Sequence, residues 1–164
     1  MKSSITPGAL RWILNLWPPF LCSGIRVADL APDWRSARVV LRSRPWNRNY
    51  VGVHFGGSLF SMTDPFWMLL TMHALGRDYI VWDQAGSIEF LKPGRGTVQA
   101  RFHLDDAVLD QLRAATAGGD KVLHWFETDI VDETGDVVAR VRKQVYVRRK
   151  RHRAAATGAQ RMAA

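Results

Sequence analysis

Asn49-Tyr50-Val51-Gly52-Val53-His54-Phe55-Gly56-Gly57-Ser58-Leu59-Phe60-Ser61-Met62-Thr63-Asp64 is the stretch that decides the fold of this 164-residue chain. A polar opening gives way at the glycine pair to an apolar run that continues to Leu75 and is closed by Gly76. Phe55 to Leu75 exceeds the length of a strand and reads as helix. Leu59, Met62, Phe66, Leu69, Leu70 and His73 cover so wide a face that the helix is expected to be buried on most sides. Pro65 predicts a kink between Ser61 and Pro65.

The same stretch carries the candidate chemistry. Gly56 and Gly57 let a ligand approach the backbone closely, and the free N–H groups of a first helical turn can stabilise developing negative charge. Asn49 offers a neutral amide just upstream. Asp64 lies two helical turns beyond Gly57, where burial is costly unless the carboxylate is paired or used. Burial there is expected to raise its pKa toward the range of a general base. Singly, a glycine pair is an ordinary turn and an aspartate before proline an ordinary cap; their combination is the signal.

Outward from this helix the periodicity turns to strands. Gly24–Leu30 and Ala37–Arg44 precede it; Tyr79–Leu91, Thr97–Leu104, Lys121–Val131 and Val137–Arg148 follow. A short helix over Asp106–Ala115, capped by Asp105 or Asp106, separates two of them. Asp132 to Asp136, with Gly135, makes a hairpin turn. At the start, Leu10, Ile13, Leu14 and Trp17 have helical spacing, so a helix over about residues 7–18 is expected, ended by Pro18-Pro19 and covering a core or subunit face. One apolar helix among many strands predicts an α+β architecture: a curved antiparallel sheet wrapped around the central helix. Residues 1–153 form one domain, and 154–164 read as a disordered tail.

The spacing Asn-x2-Gly-x3-Gly-Gly-x6-Asp resembles the active-site segment of hotdog-fold thioesterases of the phenylacetate-pathway type. Trp17-Pro18-Pro19-Phe20, Asn47-Arg48-Asn49, His54-Phe55-Gly56-Gly57, Thr63-Asp64-Pro65 and Phe90-Leu91-Lys92-Pro93-Gly94-Arg95-Gly96 extend the likeness to an uncharacterised branch of that superfamily, over about residues 7–148. The resemblance implies a hotdog fold and an acyl-CoA thioesterase. Asp64 would be general base or nucleophile, the Gly56 amide the oxyanion donor beside Gly57, and Asn49 a holder of carbonyl or water. It also implies a homodimer or homotetramer with the site at the subunit interface. Coenzyme A enters as part of the substrate, and no cofactor is implied. The family's histidine directly precedes the glycine pair, whereas Phe55 stands there in this chain and His54 one place earlier. His54 is either a site residue or a loop histidine. Asp83 aligns with a position that assists the reaction in the family; its alternative is a strand-end surface residue. Lys92 and Arg95, in a basic turn, either meet coenzyme A phosphates or form an ordinary hairpin.

Composition bounds the alternatives. Cys22 is the only cysteine, so no internal disulfide forms and a reducing, cytoplasmic setting is expected; in its apolar run Cys22 reads as a buried hydrophobe. The five histidines are scattered, and no metal site is expected. No apolar run reaches the length of a membrane span. The net charge is +8, but residues 139–153 hold eight of the 23 Lys and Arg and no acid, which leaves 15 basic against 15 acidic residues elsewhere. The basic end reads as a solvated tail. Without interleaved aromatics it is not expected to bind nucleic acid. A non-catalytic acyl-binding module and a nucleic-acid or membrane-surface binder remain the rival functions.

Overall fold

The computed structural model describes residues 5–150 of the chain. The tail expected at 154–164 therefore lies outside the described residues, as does the end of the basic run. Six strands, β1 (Ile25–Leu30), β2 (Ser36–Arg42), β3 (Tyr79–Phe90), β4 (Thr97–His103), β5 (Lys121–Asp132) and β6 (Val137–Arg149), form one sheet in the order β1-β2-β4-β5-β6-β3. Every neighbouring pair is antiparallel. Period-2 patterning drives this arrangement: Ala37, Val39 and Leu41 of β2 turn inward, and Arg38 and Arg42 turn to solvent.

The sheet encloses helix α4 (Phe66–Leu75), whose Phe66, Trp67, Leu70 and Thr71 are all buried. Trp67 stacks on Phe126 of β5 at 4.4 Å and donates its Nε1–H to Thr128 Oγ1 at 2.7 Å. The indole thus packs its apolar body in the core and satisfies its one donor there. Phe66 meets Phe102 of β4 at 5.0 Å and Phe20 at 6.2 Å. A curved antiparallel sheet around one apolar helix is the hotdog arrangement.

The expected kink is a full break. Helix α3 (Gly56–Ser61) ends before Pro65, and α4 starts only at Phe66. Pro65 has no N–H and its ring crowds the preceding turn. The chain passes Met62–Pro65 in tight turns instead, with Thr63 N donating to Phe60 O and Asp64 N to Ser61 O. At the start, Pro18-Pro19 does more than end helix α1 (Pro7–Leu16): the pair opens a second helix, α2 (Pro18–Ser23), because proline is pre-set for a first turn. That short helix turns Phe20 inward and leaves Cys22 exposed, so Cys22 is not the buried hydrophobe its neighbours suggest. Trp12, Ile13, Leu16, Trp17 and Leu21 also face outward in the single chain. Helix α5 (Asp106–Ala115) begins after Asp105, yet Asp105 makes no capping bond to it and pairs with His103 instead.

The two edges of the sheet are treated differently. Beside β1, Asn15 of α1 acts as a surrogate strand: Val27 N donates to its Oδ1 at 2.7 Å, and its Nδ2 donates to Val27 O at 3.1 Å. β3 is the other edge, 12 residues long, and an open edge of that length invites pairing with another chain. No described helix is long and apolar enough to cross a membrane. Replacing Asn15 by Ala strips both partners from Val27 and is expected to lower unfolding stability by about 1–2 kcal/mol. Urea denaturation measures the loss, and an unchanged midpoint would show that the cap contributes nothing.

Candidate active site

The sequence-predicted residues gather in two groups. The first is built on the loop before α3. Asn49 Oδ1 accepts from Val51 N and Val53 N, both at 3.1 Å, so the carbonyl end of this amide is spent on shaping the loop. His54 is buried at 2% exposure. Its backbone N–H donates to Gly94 O, and its Nε2 lies 3.1 Å from Gly96 O. Burial pushes the His54 pKa down, opposed by the Gly96 hydrogen bond and helped by the Arg48 charge. A neutral ring donating from Nε2 leaves Nδ1 as an acceptor, and Nδ1 is buried with no partner among the described residues.

Gly56 and Gly57 open α3, and the first N–H groups of a helix have no intrahelical acceptor. The Phe90 ring lies across Gly56: a Cβ there would stand 2.8 Å from Phe90 Cζ. A cavity of about 460 Å³ is lined by Asn49, His54, Gly56, Phe90, Lys92 and Gly94, among others. Lys92 contributes wall, but its ammonium is held 2.7 Å from both Asp132 and Asp136; those hydrogen bonds raise its pKa and hold Asp132 well below the usual carboxylate range. Gly57 and Arg95 are outside the cavity lining, and Arg95 is exposed.

The second group lies on the inner side of the sheet, beneath the break between α3 and α4. Asp64 is not buried in the single chain: its side chain is 55% exposed, with Oδ1 2.7 Å from Lys143 Nζ. The proline that ends the helix also moves this residue to its rim. Asp83 is not a strand-end surface residue. It sits within β3 facing inward, at 23% exposure, with Oδ2 3.5 Å from the same ammonium and Oδ1 buried without a partner among the described residues. Burial raises the Asp83 pKa; the Lys143 charge opposes this and the Asp64 charge adds to it. At 3.5 Å the Asp83–Lys143 contact is an ion pair too long for a strong hydrogen bond.

Lys143 was missed, although the pattern holds its signal. Val141, Val145 and Val147 of β6 are buried on alternate positions, and Lys143 occupies the same phase. Read as part of a basic tail, it looks solvated; read by period, it must point into the fold. In one chain the two groups are apart. Gly56 opens α3, and Asp64 lies in the turns that follow its end at Ser61. Among the described residues there is no cluster of three metal-ligating side chains.

The DUF4442 family, described as a domain of unknown function, matches residues 8–147. No curated protein matches the sequence. Among solved structures, a Pseudomonas aeruginosa protein of unknown function, described as a probable thioesterase, is similar at TM-score 0.78 and 21% identity, covering 88% of this chain and 97% of that one. A Haemophilus influenzae thioesterase is similar at TM-score 0.65 and 15% identity, covering 93% and 96%. A mutant of the phenylacetic acid degradation protein PaaI from Thermus thermophilus gives TM-score 0.53 and 21% identity, covering 79% and 97%. At these identities the likeness shows the fold.

Asp83 gives this region a pH signature. A carboxyl whose folded pKa is raised favours the fold while protonated and opposes it once ionised. Its contribution is fully present below the unfolded carboxyl pKa and is lost as pH rises through the folded value. Asp83→Asn is therefore expected to raise the thermal midpoint at neutral pH, with the gain shrinking on acidification. Calorimetry across pH measures it, and a loss of stability at neutral pH would mean that ionised Asp83 is a net stabiliser.

Proposed function

The chain belongs to the DUF4442 family, and from that starting point we propose that it is an acyl-CoA thioesterase whose site is shared between two subunits of a homodimer or homotetramer. The observation that carries the reading is the placement of two incomplete half-sites along one open edge strand. The glycine-lined cavity abuts Phe90 at one end of β3, and the carboxylates cluster around Asp83 toward the other. A bulge lies between Asp83 and Ala85, so the strand spans roughly 20 Å from Asp83 to Phe90. A thioester carbonyl reaching only a few ångströms cannot touch both ends.

Antiparallel pairing of two β3 edges about a two-fold axis removes the gap. With the axis between Gly86 and Ser87, Asp83 of one subunit stands opposite the partner's Phe90. Ala85, Gly86 and Ser87 are small, which suits close approach of a second strand at that point. Phe55, Phe90 and Leu91, exposed in the single chain at 56%, 56% and 48%, would be covered by such a partner. The names of the similar structures point to the same chemistry.

In this reading the acyl chain lies along Leu59, Phe90 and Leu91, and the thioester carbonyl oxygen meets the N–H of Gly56 beside Gly57. Asn49 orients the carbonyl or the attacking water through its amide N–H, since its oxygen is engaged in the loop. His54 closes the apolar wall with its neutral ring. Arg95, exposed beside Gly94, meets coenzyme A phosphates; Lys92, held by two aspartates, contributes its stem. Asp64 of the other subunit takes a proton as water oxygen bonds to the carbonyl carbon. The C–S bond then breaks, the electron pair leaves on sulfur, and the thiolate takes up the proton, giving free acid and coenzyme A. Asp64 acting instead as nucleophile uses the same groups and passes through an anhydride that water opens.

Asp64→Asn is expected to lower thiol release from acyl-CoA at least about tenfold. Gly56→Val, whose side chain blocks the approach to its own amide, should do the same. Co-refolding the two variants in equal amounts tests the shared site. Half of the resulting dimers carry one intact composite site, so activity should return to about a quarter of wild type. A mixture no more active than its two components places the whole site within one chain.

A further inference from the structure

We infer that Lys143 is a positioning residue for the proposed reaction: its ammonium holds Asp64 by Oδ1, leaves the other carboxylate oxygen to act, and passes to Asp83 when Asp64 takes a proton. The inference rests on the thioesterase reading for its kinetic consequences and on geometry for the coupling itself.

Lys143 has 5% of its side chain exposed and sits on the inner face of β6 between Val141 and Val145, both buried. A lone ammonium there would be strongly disfavoured. It is met by Asp64 Oδ1 at 2.7 Å and Asp83 Oδ2 at 3.5 Å, with the Phe60 ring centroid 5.5 Å from Nζ. β3 is emptied to let the lysine pass. Gly86 is its cross-strand partner, and a Cβ at Gly86 would stand 3.0 Å from Lys143 Cδ and 2.9 Å from Phe60 Cζ. A glycine inside a strand weakens it, so the space has a use.

One ammonium facing two carboxylates is not how a buried charge is best stabilised. Neutrality needs one partner, and the second leaves Asp83 Oδ1 buried and unpaired among the described residues. The surplus makes sense for a cluster that gains and loses one proton. With Asp64 ionised, Lys143 pairs chiefly with it. With Asp64 protonated, the same ammonium is neutralised by Asp83, and the cation is never left alone. The surroundings add little charge. α3 presents Phe60 and β5 presents Phe126 across from the lysine. His124, the titratable side chain two places along β5, is pushed toward its neutral form by burial. Arg142 and Gln144, the neighbours of Lys143 on β6, occupy the opposite phase of the strand.

The test uses full-length Lys143→Met and Lys143→Arg, with folding checked by thermal midpoint. Lys143→Met is expected to lower kcat at least about tenfold with KM little changed, since the lysine meets the base and not the substrate; Lys143→Arg should recover part of the loss. In parallel, carbon-detected NMR titration of the Asp83 carboxyl in free protein should move upward in Lys143→Met and downward in Asp64→Asn. The Asp64→Asn arm does not depend on Lys143→Met folding. An unmoved Asp83 titration, or wild-type kcat in a folded Lys143→Met protein, overturns the inference. If the wild-type protein releases thiol from no acyl-CoA, the hydrolase reading fails by itself, and the titration alone decides whether Lys143 couples the two carboxylates.

Discussion

Helix α4 has no side that water tolerates, and most of the architecture follows from that constraint. Phe66, Trp67, Leu70 and Leu75 are buried, and Met68, Leu69, Met72 and Ala74 are partly covered. A flat sheet would cover one stripe of it; a curved sheet covers most of the circumference. The aromatic contacts of Phe66 and Trp67 with β4 and β5 anchor the helix, and α1 seals the β1 edge. Among the described residues, the outer edge of β3 is left without a neighbouring strand.

That break places the carboxylate. Pro65 cannot continue a helix, so Asp64 leaves the apolar interior and comes to rest over the inner face of β3 and β6. There it meets a lysine that the strand alternation turns inward and that a glycine on β3 makes room for. The other end of β3 brings Phe90 against Gly56 and closes one wall of the cavity. A single edge strand therefore carries both groups and keeps them apart, which turns pairing of that strand into a condition for activity in the proposed mechanism.

The fold was legible because its signals are long and periodic. Six strands and α5 lie within a residue or two of their sequence-based bounds, and the glycine pair does open a helix. Local chemistry was harder to read. Pro65 was seen as a kink, though a proline there also removes the turn that would have buried Asp64. Pro18-Pro19 was seen as a stop, though the same residues pre-set a new helix and expose Cys22. Asp83 reads from sequence as either an assisting site residue or a strand-end surface residue; only the strand register, shifted by the bulge beside it, shows which way it points. Lys143 was concealed by its neighbours. Charge counting places it in a basic tail, whereas the valines at alternate positions place it in the core. Its pairing with Asp64 spans 79 residues, a separation over which spacing in sequence carries no information.

In the proposed mechanism, one thioester is held by the glycine-lined cavity of one subunit and the carboxylate of another. A crystal structure with a non-hydrolysable thioether analogue of an acyl-CoA would reveal whether the site is shared in this way. Two β3 edges paired about a two-fold axis are expected, with the acyl group in the cavity and Asp64 of the opposite subunit beside the carbon that water would attack. An analogue bound with Asp64 of its own chain at that carbon, or a monomer with the β3 edge free, would contradict it.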